Sequence, residues 1–105
     1  MGNSGEKLRE MFDIPIFLTS KEARRLALLG KLRPNTVVKG NLYLGYTKCT
    51  VLPDNLTVEG NLDLSGTTVK LPQNLNVKRI LYVNYGTDVP PTTSYSVIRG
   101  PNERI

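Results

Sequence analysis

The stretch that determines the fold is residues 52–70, LPDNLTVEGNLDLSGTTVK, and residues 71–89 repeat it as LPQNLNVKRILYVNYGTDV. The two copies are 19 residues apart. Residues 33–51 (RPNTVVKGNLYLGYTKCTV) form a looser third copy, in which GNLYL precedes GNLDL by 20 residues. A fixed period of this length is typical of proteins in which each repeat buries its apolar side against its neighbours. The period therefore predicts a stack of three related units.

Apolar and polar residues alternate inside each copy, as in LTV (56–58) and LDL (62–64). Alternation with a period of two is typical of a strand with one buried face. Each copy therefore predicts two very short parallel strands, with one turn at EG (59–60) and a second at SGT (65–67). Alignment of the copies also predicts two inward ladders, made by Leu42, Leu62 and Leu81 and by Val38, Val58 and Val77.

One segment, KEARRLALLG (21–30), has the residue spacing of an amphipathic helix. Thr19 followed by Glu22 fits a capping box at its start, and Gly30 is a natural stop at its end. We expect the apolar side of this helix to cover the first repeat, because the end of a repeat stack must be shielded from water. The preceding IPIFL (14–18) is expected to be an apolar linker.

The chain has 105 residues, enough for one small domain, residues 1–105. Residues 6–12 are expected to form a short first helix. After Pro90-Pro91, which interrupts the ladder, the chain either covers the last repeat as an extra strand or forms a loose arm. The predicted fold class is α+β, a short parallel β-solenoid of about three coils with an N-terminal helical cap. It divides into the helical cap (1–31), the repeat solenoid (32–89) and a C-terminal cap or tail (90–105).

The composition argues against most catalytic chemistry. The sequence has no His and a single Cys, Cys49, so the usual general base and a zinc site are both lacking. A lone Cys forms no intrachain disulfide, which favours a reducing cytoplasm, and no segment is apolar enough for a signal peptide or a membrane span. We therefore expect a cytoplasmic protein that is not an enzyme, with no catalytic residue, metal site or cofactor.

Two groups of residues are candidates for contact with a partner. The formal charge is +5, and the basic residues concentrate in the helix and the first repeat. The basic candidates are Arg24, Arg25, Arg33 and Lys39, with Lys31 and Lys48 nearby. The aromatic candidates are Tyr43, Tyr46, Tyr82 and Tyr85, of which Tyr43 and Tyr82 flank Asp63 on one outward ladder. Tyrosine and arginine are favoured anchors of protein interfaces. The alternatives are a solvated helix face for the basic group and packing between neighbouring strands for the tyrosines.

The segments LPDNLTVEGNLDLSGT (52–67) and LPQNLNV (71–77) resemble the leucine-rich-type repeats of small phage and prophage proteins. The resemblance covers about residues 33–89. It implies a leucine-rich-repeat-like solenoid, a phage or prophage source, and a role in binding rather than chemistry. The asparagine ladder of leucine-rich repeats has no counterpart in the pattern, because Gly66-Thr67 and Gly86-Thr87 stand near its place.

Together these features favour a binding protein that docks on a host protein in the host cytoplasm and inhibits or redirects it, for example a defence system or a polymerase. One alternative is a nucleic-acid-associated protein that uses the basic N-terminal cap. Another is a virion or assembly component. The sequence leaves the oligomeric state open, and no membrane contact is expected.

Overall fold

The computed structural model describes residues 14–84 and 86–100. The short helix expected over residues 6–12 and the candidate residue Tyr85 lie outside the described residues. Within the described part the fold is α+β, with one helix and two parallel sheets. The elements are β1 (Ile16–Leu18), α1 (Ser20–Leu28), β2 (Thr36–Val38), β3 (Leu42–Tyr43), β4 (Thr57–Val58), β5 (Leu62–Asp63), β6 (Asn76–Val77), β7 (Ile80–Tyr82) and β8 (Val97–Arg99).

From β2 to β7 the chain alternates between the two sheets. The first sheet has the order β1-β2-β4-β6, and the second has the order β3-β5-β7-β8. Each repeat thus adds one parallel strand to each sheet. The predicted ladders are confirmed, because the strand registers align Leu42 with Leu62 and Leu81, and Val38 with Val58 and Val77.

The inward side chains of both sheets form a single apolar core. Leu42, Leu62 and Leu81 are fully buried in the second sheet, and Val38 and Val58 are fully buried in the first. All five belong to one cluster of packed hydrophobic residues. Because strands of two or three residues make few backbone hydrogen bonds, this stacked core carries most of the stabilisation.

Helix α1 has the predicted capping box. The Thr19 hydroxyl oxygen accepts a hydrogen bond from the Glu22 N–H at 3.2 Å, and the Glu22 carboxylate accepts one from the Thr19 N–H at 3.0 Å. At the other end the Lys31 N–H donates to the Leu26 carbonyl and the Gly30 N–H donates to the Ala27 carbonyl, which is a Schellman motif. Both ends therefore match the sequence signals.

The helix covers the edge of the second sheet, as predicted. It contacts β3, the first strand of that sheet, and it also contacts β1. Ala23 and Ala27 are fully buried on its inner side. Small side chains there let the helix axis approach the core closely, so that the helix takes the place of a further strand beside β3.

The expected linker at residues 14–18 is in fact the edge strand of the first sheet. Residues Ile16–Leu18 pair in parallel with Thr36–Val38. The Ile16 N–H donates to the Asn35 carbonyl at 3.0 Å, and the Lys39 N–H donates to the Leu18 carbonyl at 2.8 Å. The apolar run is long enough to be a strand, and Pro15 precedes it where no ladder donor is needed.

The C-terminal segment continues both sheets, so the extra strand is confirmed. Val97–Arg99 pairs in parallel with Ile80–Tyr82, and Ser94 bridges Asn76 in the first sheet. The strand alternation therefore extends beyond residue 89, where the repeat pattern stops in the sequence. Ile98 aligns with Leu81 and packs against the core, whereas Tyr95 and Val97 remain exposed.

Asparagine side chains form a short ladder of hydrogen bonds between neighbouring repeats. The Asn41 Oδ1 accepts the Asn61 N–H at 2.7 Å, and the Asn61 Oδ1 accepts the Ile80 N–H at 3.0 Å. The ladder lies at the turn between the two strands of a repeat, where the amide oxygen satisfies the N–H of the following unit. At the other turn, near Gly66-Thr67, the Asn84 Oδ1 accepts the Gly66 N–H at 2.8 Å.

Candidate functional site

An outward row of large polar side chains crosses the second sheet. Its members are Tyr43, Asp63, Tyr82 and Arg99, aligned by the strand register. Each of these four residues follows an inward aliphatic residue. Because successive side chains of a strand point to opposite faces, each of the four points outward. Neighbouring strands are about 4.8 Å apart, and the row therefore extends over roughly 14 Å. Tyr43 is half exposed, and the other three are partly covered.

The sequence predicted three members of this row and missed Arg99. The signal that could have found it is Ile98, because an aliphatic residue one position earlier in the tail continues the inward leucine ladder. Asp63 is held in place, since its Oδ1 accepts the Ser65 N–H at 3.0 Å. The row thus mixes two phenols with one carboxylate and one guanidinium.

The basic side of helix α1 is joined to this row through Arg24. The Arg24 Nε–H donates to the Tyr43 carbonyl oxygen at 3.1 Å, across the edge of β3. The side chains of Lys21 and Arg25 are exposed on the same helix. The structure therefore brings together Arg24 and Tyr43, which belong to two separate groups in the sequence.

Tyr46 has an unusual backbone and high exposure. Its φ is +58°, in the left-handed region that side chains other than glycine rarely adopt. Gly66 and Gly86 hold the same place in the turns of the two later repeats, because the N–H of the following threonine donates to the carbonyl three residues earlier in all three turns. Their φ values are +71° and +78°. The Tyr46 side chain is 75% exposed, the largest value among the exposed hydrophobic residues of the described part. The signal in the sequence is the threonine that ends each turn, which follows Tyr46 in the first repeat but Gly66 and Gly86 in the later two.

The Tyr46 ring lies directly over Gly66. A Cβ atom at Gly66 would collide with the Tyr46 ring atoms Cγ, Cδ1 and Cε1. The Tyr46 N–H also donates to the Ser65 carbonyl at 2.8 Å, which ties the two turns together. Gly66 is thus required both by its own φ and by the close approach of the ring.

Two other predicted contact residues lie away from the outward row. Lys39 follows β2 in the first sheet and forms an ion pair with Glu59 at 3.2 Å, with its Nζ 5.6 Å from the centre of the Phe17 ring. Arg33 lies before β2, where its carbonyl accepts the Thr36 hydroxyl at 2.7 Å. The structure does not bring either residue to Tyr43 or Tyr46.

Cys49 is packed beneath the helix. Its side chain is buried, and its Sγ lies 3.6 Å from the carbonyl oxygens of Ala27 and Val51. Burial raises the pKa of the Cys49 thiol, which disfavours the reactive thiolate. The arrangement is that of a structural cysteine.

A shallow groove of about 410 Å³ lies between residues 67–71 and residues 86–90. Its charged side chains are Lys70 and Asp88, and much of the remaining wall is threonine. Over residues 14–84 and 86–100, no three His, Cys, Asp or Glu side chains come together as a metal ion would require. In the same part of the chain, no helix is long and apolar enough to cross a membrane. No protein-family model, curated protein or solved structure matches this chain.

Proposed function

We propose that the two parallel sheets form a short β-solenoid, similar to leucine-rich repeats, with α1 as its N-terminal cap. Several side chains hydrogen bond to the neighbouring unit at nearly the repeat distance, for example Gln73 N–H to Asp54 and Gly66 N–H to Asn84. Parallel strands that recur in register every 19 or 20 residues support this description. A solenoid presents continuous rows of side chains, which suits binding to another macromolecule.

We infer that the protein is a non-enzymatic binding module that docks on a host protein and inhibits or redirects it. The phage or prophage source and the host cytoplasm belong to this proposal and depend on the repeat resemblance. The observation that carries the proposal is the outward row on the second sheet, flanked by Arg24 and by the exposed Tyr46.

The chemistry of these residues supports recognition of a protein. Tyrosine contributes a large apolar ring and one polar group at a low cost in side-chain entropy, and arginine offers several fixed donors. Arg24 is already positioned by its bond to Tyr43, so that less entropy is lost when a partner binds. Energetic hot spots of protein interfaces are enriched in these residue types.

Affinity capture from bacterial lysate, read by mass spectrometry, tests the proposal. The wild type is expected to retain one partner in stoichiometric amount, and a Tyr43→Ala/Tyr82→Ala variant is expected to lose it. A Thr57→Ala/Asn76→Ala variant is the matched control, because these two residues occupy outward positions of the first sheet. Equal capture by all three proteins, or no stoichiometric partner at all, would contradict the proposal.

Binding to nucleic acid is a second candidate, favoured by the exposed lysines of the N-terminal part. Lys21, Lys31 and Lys48 have no ion-pair partner within the described residues. Binding through such cations must weaken steeply as salt rises, since it depends on counterion release. A gel-shift titration with duplex and single-stranded DNA at two salt concentrations separates this function from protein docking.

A further inference from the structure

The first repeat differs from the later two at Tyr46, where the backbone is strained. Gly66 and Gly86 adopt left-handed φ values without steric cost, whereas Tyr46 adopts the same conformation with a Cβ atom. Strained backbone positions concentrate at functional sites, where the rest of the structure holds them in place. The repeat pattern alone therefore does not explain why a tyrosine occupies position 46.

The fold gains little from this ring. Three quarters of the Tyr46 side chain is exposed, and its contact with the protein is the flat surface over Gly66. A glycine at position 46 would serve the turn as Gly66 and Gly86 do. The ring instead lies over the turn at Gly66, close in sequence to Tyr43, which is half exposed.

The charge around Tyr46 favours an acidic ligand. Arg24 lies against the edge of β3, and Lys48 is exposed two residues after Tyr46. The two acidic groups of this region, Glu22 and Asp63, are outnumbered by four exposed cations, Lys21, Arg24, Arg25 and Lys48. We call Arg24, Tyr43, Tyr46 and Lys48 the Tyr46 surface.

We propose that Tyr46 is the anchor residue of the binding surface, and that the partner places a protein segment rich in Asp and Glu against the Tyr46 surface. This inference rests on the proposed function. A protein segment can set its carboxylates opposite Arg24 and Lys48 and a neutral residue opposite Asp63. A nucleic acid carries a phosphate at every nucleotide, and Asp63, paired in register with Tyr43, repels that backbone.

Selection from a displayed library of random twelve-residue peptides on the immobilised full chain tests the inference. We expect enrichment of peptides with several Asp or Glu residues, whose affinity falls as salt rises. Tyr46→Gly should weaken the selected peptides about 10- to 30-fold, as expected for a hot-spot residue. Tyr95→Ala is the matched control, because Tyr95 is an exposed tyrosine of the C-terminal segment. The affinity of this variant for the selected peptides should change less than about twofold.

Tyr46→Gly restores the residue used by the other repeats, so a loss of binding is not a consequence of unfolding, and a thermal melt verifies this. Selected peptides without acidic residues, or equal binding by Tyr46→Gly and wild type, would overturn the inference. So would tight binding of a twenty-nucleotide oligothymidylate that depends on Tyr46. If the lysate partner binds Tyr46→Gly as well as wild type, the proposed function stands and this inference fails.

Discussion

Substitution of Gly66 by Ala measures how the Tyr46 ring is coupled to the next repeat. Gly86→Ala is the reference, because Gly86 has a similar φ and no other atom within 4 Å of an added Cβ. Placing alanine in the left-handed region costs roughly 1 kcal/mol, after the smaller entropy of its unfolded chain is allowed for. Gly86→Ala should therefore lower the free energy of unfolding by about 1 kcal/mol.

Gly66→Ala carries the same backbone cost and also displaces the Tyr46 ring. A tyrosine side chain buries about 200 Å² when fully covered, so the quarter that Tyr46 buries amounts to roughly 50 Å². At about 25 cal/mol per Å², loss of this contact costs roughly 1 kcal/mol. Gly66→Ala should thus cost about 2 kcal/mol, which lowers the melting temperature of a domain of this size by roughly 10 °C, against about 5 °C for Gly86→Ala.

Gly66→Ala and Gly86→Ala made in a Tyr46→Gly background complete a double-mutant cycle. Without the ring, Gly66→Ala and Gly86→Ala should both cost about 1 kcal/mol. Tyr46→Gly alone relieves the backbone strain but also removes the packing of the ring. Its free energy of unfolding should therefore stay within about 1 kcal/mol of the wild-type value. Urea denaturation followed by circular dichroism gives all these values. Equal costs for the two glycine variants in the wild-type background would refute the coupling, and a loss of several kcal/mol in Tyr46→Gly would make the tyrosine structural.

Four further predictions concern the core, the helix cap and the thiol. Leu62→Ala, at the centre of the second sheet, should cost about 3 kcal/mol in urea denaturation because it opens a cavity in a fully buried ladder. Thr19→Ala should cost about 1 kcal/mol by the same assay, since it removes the capping box. The Thr19 N–H and hydroxyl, together with the Arg25 charge, hold the pKa of Glu22 below its ordinary value. The stability that Glu22 contributes is therefore present at neutral pH, is lost as the pH falls through the lowered pKa, and should be absent in Glu22→Gln when unfolding is measured against pH. Cys49 should react with iodoacetamide at least about a hundredfold more slowly in the native protein than in urea, because alkylation requires opening of the helix contact.

The repeat makes the core predictable from the amino-acid sequence. Leu42, Leu62 and Leu81 align because equivalent positions of units of nearly equal length must stack when each unit buries the same face. The cap of α1 is predictable for a different reason, since Thr19 and Glu22 lie within one turn and need no distant partner. Local signals and close repetition are thus the two kinds of pattern that a single sequence carries reliably.

The segments at the two ends are harder to predict, because their pairing depends on a partner that the local sequence does not contain. Residues 14–18 have the composition of either a strand or a linker, and only the open edge of β2 decides between them. In the tail, Val97 and Ile98 are equally apolar, and the register with Leu81 determines which one turns inward. The pairing of Arg24 with the carbonyl of Tyr43 likewise follows from the docking of the helix and from no motif.

The contrast between the two sides of the second sheet is the strongest argument for a binding role. The inward row keeps one chemistry at every step, with Leu42, Leu62, Leu81 and Ile98. The outward row changes at every step, with Tyr43, Asp63, Tyr82 and Arg99. Packing demands a similar aliphatic side chain in each unit of the stack, whereas the outward positions, which are only partly covered, tolerate different side chains. Residues that depart from the repeat, including Tyr46 in place of a glycine, are therefore the ones available to distinguish one partner from another.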